Sequence, residues 1–134
     1  MKKLFYIGLC LALVTAFAGF AIAQEPAGGY KAGYEKQMKV VADTQAIING
    51  VVTWLKEHNF QNYEYAKTKV ENAFEQAGFA EEAKKKAEAF AANGNWMQAY
   101  FWANQVWQYQ VKIADSGLRA KQIVEDAERA ALQK

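Results

Sequence analysis

The sequence predicts an all-α protein: a small antiparallel helical bundle or helical-hairpin array of four to five helices, preceded by a cleaved signal peptide. Three observations carry that expectation. Residues 95–115 hold three of the four tryptophans in a helical pattern with a wide apolar arc. The stretches before and after it repeat the three- and four-residue spacing of buried helix faces. The single proline, Pro26, lies ahead of all of them.

The chain opens with Lys2 and Lys3, an uncharged apolar run from residue 4 to 20, and Ala21-Ile22-Ala23 as an A-x-A cleavage site. Cutting is expected between Ala23 and Gln24. The alternative is a retained anchor, since residues 4–23 carry no charge and are just long enough to span a bilayer. Cys10 follows Leu9, where a lipoprotein signal needs a small residue, so lipid attachment is not expected. The segment 24–134 is large enough to hold a core and contains no cysteine to staple it. Without Lys2 and Lys3 the basic and acidic residues balance at fourteen each, which gives no support for capture of nucleic acid or anionic lipid.

Residues 24–33, with Pro26 and the glycines at 28, 29 and 33, read as a flexible mature N-terminus, and 34–134 as a single helical domain. A first helix is predicted over 34–57. Tyr34, Met38, Val41, Ile48, Val52 and Leu55 share one face, and Val40, Ile47, Val51 and Trp54 the next. Gly50 inside it costs about 1 kcal/mol relative to alanine. His58 sits at its C-terminus, where the helix dipole favours a cation, and residues 59–62 form a short turn.

A second helix is predicted over 62–77, with Tyr63, Ala66, Val70, Ala73, Phe74 and Ala77 as its buried stripe and Gly78 as a left-handed cap. A third, over 80–92, buries Ala80, Ala83, Ala87 and Phe90. It exposes Lys84-Lys85-Lys86 among Glu81, Glu82 and Glu88 at ion-pair spacing.

After Asn93-Gly94 comes the tryptophan helix. Asn95 is its N-cap, and Gln98 is placed to reach back to the Asn95 amide. Ala99, Trp102, Val106, Tyr109 and Ile113 form one strip, and Trp96, Tyr100, Ala103, Trp107, Val111 and Ala114 the next. Together they span an arc of roughly 200°, twice that of a surface helix. Phe101 projects among the polar residues opposite. This helix and the first are the expected central pair. Ser116-Gly117 ends or bends it, and 118–132 forms a marginal C-terminal helix with a thin, alanine-rich apolar side.

The segment AKKKAEAF-AANGNW-MQAYFWANQVWQ resembles a tetratricopeptide-type helical hairpin, with small residues at Ala87 and Ala99 and Trp96 just after a tight turn. Asn59-Phe60 matches Asn95-Trp96 at an offset of 36, near the 34-residue period of that family. The resemblance covers residues 59–115 at most and lacks the family's proline. It implies a peptide- or protein-binding groove rather than catalysis.

Candidate chemistry is sparse. After residue 23 there are one histidine, His58, one serine, Ser116, and no cysteine. Glu-x-x-His pairs, clustered Cys and His, Cys-x-x-Cys-His and Asp-rich calcium loops are absent from the sequence, and Glu71 with Glu75 is an ordinary surface pair. No catalytic residue, metal or cofactor is therefore assigned. The aromatic residues and two amides are more informative. Trp102 and Trp107 suit a core or an aromatic-walled site. Gln45 and Gln110 fall inside apolar arcs, where a buried amide needs a partner. Either they pair with each other across the central helices or they converge on a ligand.

The expected function is a non-enzymatic protein of the bacterial periplasm or exterior. It would mediate protein–protein interaction or self-association, with an envelope protein or a second copy as partner and no membrane insertion after cleavage. The alternative is a carrier of an apolar or carbohydrate ligand in a pocket between helices. Phe101, Trp102, Trp107, Gln45 and Gln110 are the candidate binding residues in either case.

Overall fold

The computed structural model describes residues 25–134. Among them there are three helices and no strand: α1 (Gly29–Glu57), α2 (Glu64–Ala92) and α3 (Trp96–Leu132). The expected signal segment, 1–23, lies outside the described residues. No helix among the described residues is long and apolar enough to cross a membrane.

The helices number three rather than four or five because two expected breaks are helical. Gly78 is exposed and lacks the positive φ that a left-handed cap requires. A glycine inside a helix costs about 1 kcal/mol. Against that, Ala66, Ala73, Ala80 and Ala87 recur every seven residues straight through Gly78, and the packing of this continuous stripe holds α2 together. Ser116 and Gly117 are both buried within α3. A Cβ at position 117 would overlap Val51 Cγ1 and stand 3.4 Å from Leu55 Cδ1, so this glycine marks a close helix approach rather than a helix end.

The first helix also starts earlier than its pattern predicts. It begins at Gly29, and Gly33, expected in a flexible N-terminus, is buried against Pro26 and Tyr100. Its end at Glu57, followed by the His58 cap, is where the sequence places it.

Contacts along the helices define their directions. Between α1 and α3 the numbers rise together: Tyr34 meets Trp96, Thr44 bonds Gln110, Gly117 approaches Val51, and the Lys121 ammonium lies over Trp54. These helices are parallel. Between α2 and α3 they run in opposition: Lys86 lies over Trp102, Phe79 meets Tyr109, and Asn72 bonds Ser116. Each rung is seven residues from the next on both helices, the repeat of an antiparallel left-handed seam.

Helices α1 and α2 scarcely touch, while α3 packs on both. The central element is therefore α3 alone, flanked by the other two, rather than the expected pair of the first helix and the tryptophan helix.

The buried residues form two clusters. One gathers Ile48, Leu55, Phe60, Ala66, Val70, Ala73, Ile113, Ala114, Ala120 and Val124; the other Val41, Ala83, Val106 and Trp107. Phe60 comes from the loop at 58–63, where Asn59 Oδ1 accepts from the Gln61 amide and Phe60 O from the Tyr63 amide. Its burial beside Ala120 and Val124 docks the part of α3 just past Gly117. The thin apolar side read for 118–132 is thus half used, and the helix is exposed all round only from residue 128, with Leu132 at 88% exposure.

At the other end, Gly94 takes φ +73°, a left-handed conformation suited to glycine, so α2 can turn into α3 within three residues. Asn95 Oδ1 accepts from the Gln98 amide at 3.3 Å, as its N-cap role predicts. The Asn95 amide is satisfied by Phe90 O rather than by the Gln98 side chain. Helices of 29 and 37 residues flank this turn. The tetratricopeptide unit fits two helices into 34 residues, so the hairpin here is a long antiparallel pair of a different build.

Candidate functional site

The predicted binding residues divide between the inside and the outside of α3. Gln110 is buried on the α1 side, where its Nε2 donates to Gln45 Oε1 and to Val41 O, both at 3.1 Å. Its Oε1 accepts from Thr44 Oγ1 at 2.8 Å. The Gln45 Nε2 donates in turn to Asn49 Oδ1. Thr44 has no signal in the sequence beyond its position one residue before Gln45. These side chains tie α1 to α3 and leave the Gln110 amide fully used inside the protein.

Trp107 is buried in the cluster that joins Val41 of α1, Ala83 of α2 and Val106 of α3. Trp102 is half-buried on the α2 side, with the Lys86 ammonium 4.3 Å from its ring centroid. At that distance the ring's negative face holds the cation. Lys86, read as part of a solvated run, is thereby engaged in the seam. The ring of Phe101 meets that of Trp102 edge-on with centroids 5.4 Å apart, and Phe101 stays 37% exposed. The structure therefore does not gather the five residues into one pocket.

Two residues raised as possible chemistry have structural partners. Ser116 is buried in mid-α3, and its Oγ accepts from Asn72 Nδ2 at 2.6 Å. His58 stacks on Trp54 with ring centroids 3.7 Å apart. Its Nδ1 lies 2.7 Å from Trp54 O, which can only accept, so this nitrogen carries the proton. No three His, Cys, Asp or Glu side chains converge among the described residues.

One feature has no signal in the sequence: Gln76 is buried on α2, and its Oε1 has no hydrogen-bond partner. Tyr34, on the apolar face its periodicity predicts, packs on Trp96, and its hydroxyl pKa is raised, first by burial and then by the charge of Glu88.

The outward face of α3 remains. Met97, Phe101, Asn104 and Gln108 recur at spacings of four, three and four, opposite the buried Ala99, Val106 and Ile113. Val111 sits at the edge of this strip and Asp115 closes it. From Trp96 to Val111 there is no charged residue, in a chain where 22% are charged. The strip therefore has the composition of an interface: aromatic and methionine side chains exposed, charge depleted, amides interspersed. The chain matches no protein-family model, no curated protein and no solved structure.

Proposed function

We propose that this is a non-enzymatic interaction protein of the bacterial cell envelope, exported by its N-terminal segment and working through the outer face of α3. The observation that carries the reading is the uncharged strip of Met97, Phe101, Asn104 and Gln108, with Met97 52% exposed. An apolar or amide surface left facing water on the central helix is better accounted for by a protein partner than by solvent. The arrangement of Gln45 and Gln110 supports the same choice over a ligand carrier, because amides bonded to each other are not free to receive a ligand.

Photo-crosslinking in cells tests this. A photoreactive side chain at position 101 is expected to give a discrete cross-linked species in the extracytoplasmic fraction, whereas one at the exposed Glu82 on α2 gives none. A protein retained in the cytoplasm, or equal labelling from both positions, overturns the proposal.

A further inference from the structure

We infer that the end of the bundle built from the starts of α1 and α3 rests on the headgroup layer of a membrane, held there by residues 4–23 retained as an anchor. The inference goes beyond the interaction reading, which concerns the side of α3 and not its end. Of the two fates the sequence allows for residues 4–23, it takes the second. Phe101, Asn104 and Gln108 stand further along α3 and stay open to a protein partner.

The first observation is where the apolar run joins the bundle. The segment 24–33, expected as a flexible linker, is folded from Pro26 onward. The Gly29 amide donates to Pro26 O at 2.9 Å, Gly28 and Gly29 take φ of +84° and +90°, and Pro26 seats on Gly33 beside Tyr100. Only Gln24 and Glu25 therefore separate Ala23 from docked chain, a reach of about 7 Å. A run retained in a bilayer keeps this end of the bundle at its surface. Lys2 and Lys3, ahead of the run, place the bundle on the outer side.

The second is what stands at that end. Because α1 and α3 are parallel, both begin there, and the turn from α2 arrives at the same place. The Tyr34 and Trp96 rings lie 5.8 Å apart, those of Tyr30 and Tyr100 6.1 Å apart, and the Lys31 ammonium 5.2 Å from the Trp96 centroid. Tyr30, Tyr34 and Trp96 are half-buried, and Met97 is exposed. Tyrosine and tryptophan with a lysine beside them are the residues that anchor proteins at the level of the headgroups. Residues 89–97 carry no charge, whereas the opposite end of the bundle is set with Lys56, Glu57, Glu64 and Lys67. The aromatic, uncharged end is thus the one the apolar run enters. The charges nearby, Glu25, Lys31, Glu35 and Lys36, cancel, which suits a zwitterionic layer rather than an anionic one. The exposed apolar area is small, so the contact is weak by itself. A two-residue tether offsets this with an effective concentration on the order of millimolar.

The test uses the full chain, expressed in a bacterium, fractionated and weighed by mass spectrometry. It is then reconstituted in phosphatidylcholine vesicles with or without bromine on the acyl chains next to the headgroups, where bromine quenches only the indoles close to it. The protein is expected in the membrane fraction with residues 1–23 in place, and the brominated lipid is expected to quench part of its emission. Trp96→Phe should remove most of that quenching, and Met97→Asp should weaken it at an unchanged melting temperature. Trp54→Phe should leave it whole, because Trp54 lies 20 residues along α1 from Tyr34, about 30 Å away. A released protein that begins at Gln24, equal emission in the two kinds of vesicle, or quenching that persists in Trp96→Phe each overturn the inference. Any of these results with position 101 still cross-linking to an envelope protein removes this inference and leaves the proposed function standing.

Discussion

Replacing Gly117 by alanine sets two known effects against each other at one site. Inside a helix the change gains about 1 kcal/mol from propensity alone. At position 117 the new methyl overlaps Val51 Cγ1. Val51 is β-branched and largely held to one χ1 rotamer on a helix, so it cannot swing aside and α1 must retreat from α3. Overpacking of this kind costs about 1–3 kcal/mol. The retreat also strains the contacts at Leu55 and the Thr44–Gln110 bond one helical stretch away. The expected net effect is a loss of up to about 2 kcal/mol, or a fall in Tm of up to about 8 °C for a domain of this size. Gly50 and Gly78 are internal controls, since a Cβ at either meets nothing within 4 Å. Alanine at each should stabilise by about 1 kcal/mol. The assay is urea unfolding monitored by tryptophan fluorescence and far-UV circular dichroism. Combining Gly117→Ala with Val51→Ala should be less damaging than the sum of the two by about 1–3 kcal/mol, because the overlap is gone. If Gly117→Ala stabilises as Gly50→Ala does, or the pair is additive, the close approach of α1 and α3 is wrong.

The same structure sets three further outcomes. Trp107→Ala should cost about 3–5 kcal/mol in urea unfolding, the range for emptying a buried large aromatic, while Phe101→Ala leaves the dilute monomer nearly unchanged; equal effects would place both rings in the same environment. Gln76→Leu should be neutral or stabilising by about 1–2 kcal/mol, since it removes a buried oxygen without a partner; a clear loss in the same assay would mean that the amide is bonded in solution. For Tyr34, burial and Glu88 raise the pKa in the fold above its unfolded value. The native state then holds the proton more tightly, so this stabilisation is complete below about pH 10 and is lost as pH rises through the folded pKa. Tyr34→Phe should flatten the alkaline limb of the stability profile, and an unchanged limb would show that the hydroxyl titrates freely.

The parts legible in the sequence are those whose cause is local. The Glu57 end, the Asn93-Gly94-Asn95 turn, the Asn95 cap and the stripes of Ala66, Val70 and Ala73 each depend on residues within a turn or two of one another. The Gln45–Gln110 pairing is one of two arrangements the sequence allows, since an amide inside an apolar arc needs a partner without revealing which. Gly78 and Gly117 resemble helix ends for a common reason. A glycine is a breaker by propensity, and tertiary packing decides otherwise. At Gly78 the alanine stripe outweighs the cost, and at Gly117 the side chain that demands glycine lies 66 residues away in sequence, beyond any local pattern. The site residues are mixed in the same way: periodicity identifies Phe101 as outward-facing. It does not show that Gln110 turns toward α1 while Trp102 turns toward α2.

The parallel placement of α1 beside α3 has a consequence for how the chain assembles. The hairpin of α2 and α3 closes across a three-residue turn and can zip from there, whereas Thr44 meets Gln110 across 66 residues. The logarithmic cost of loop closure puts about 3 kcal/mol between the two events. The hairpin is therefore expected to form first and α1 to dock last. In rate measurements, Ala103→Gly in the hairpin should slow folding, while Val41→Ala on α1 should mainly speed unfolding; a Val41 variant that slows folding as strongly would reverse the order. The same asymmetry governs breakdown. Helix α1 is expected to leave first, baring Tyr100, Trp107 and Gln110 on the hairpin, so the form expected to be most prone to aggregation is the α2–α3 pair without α1.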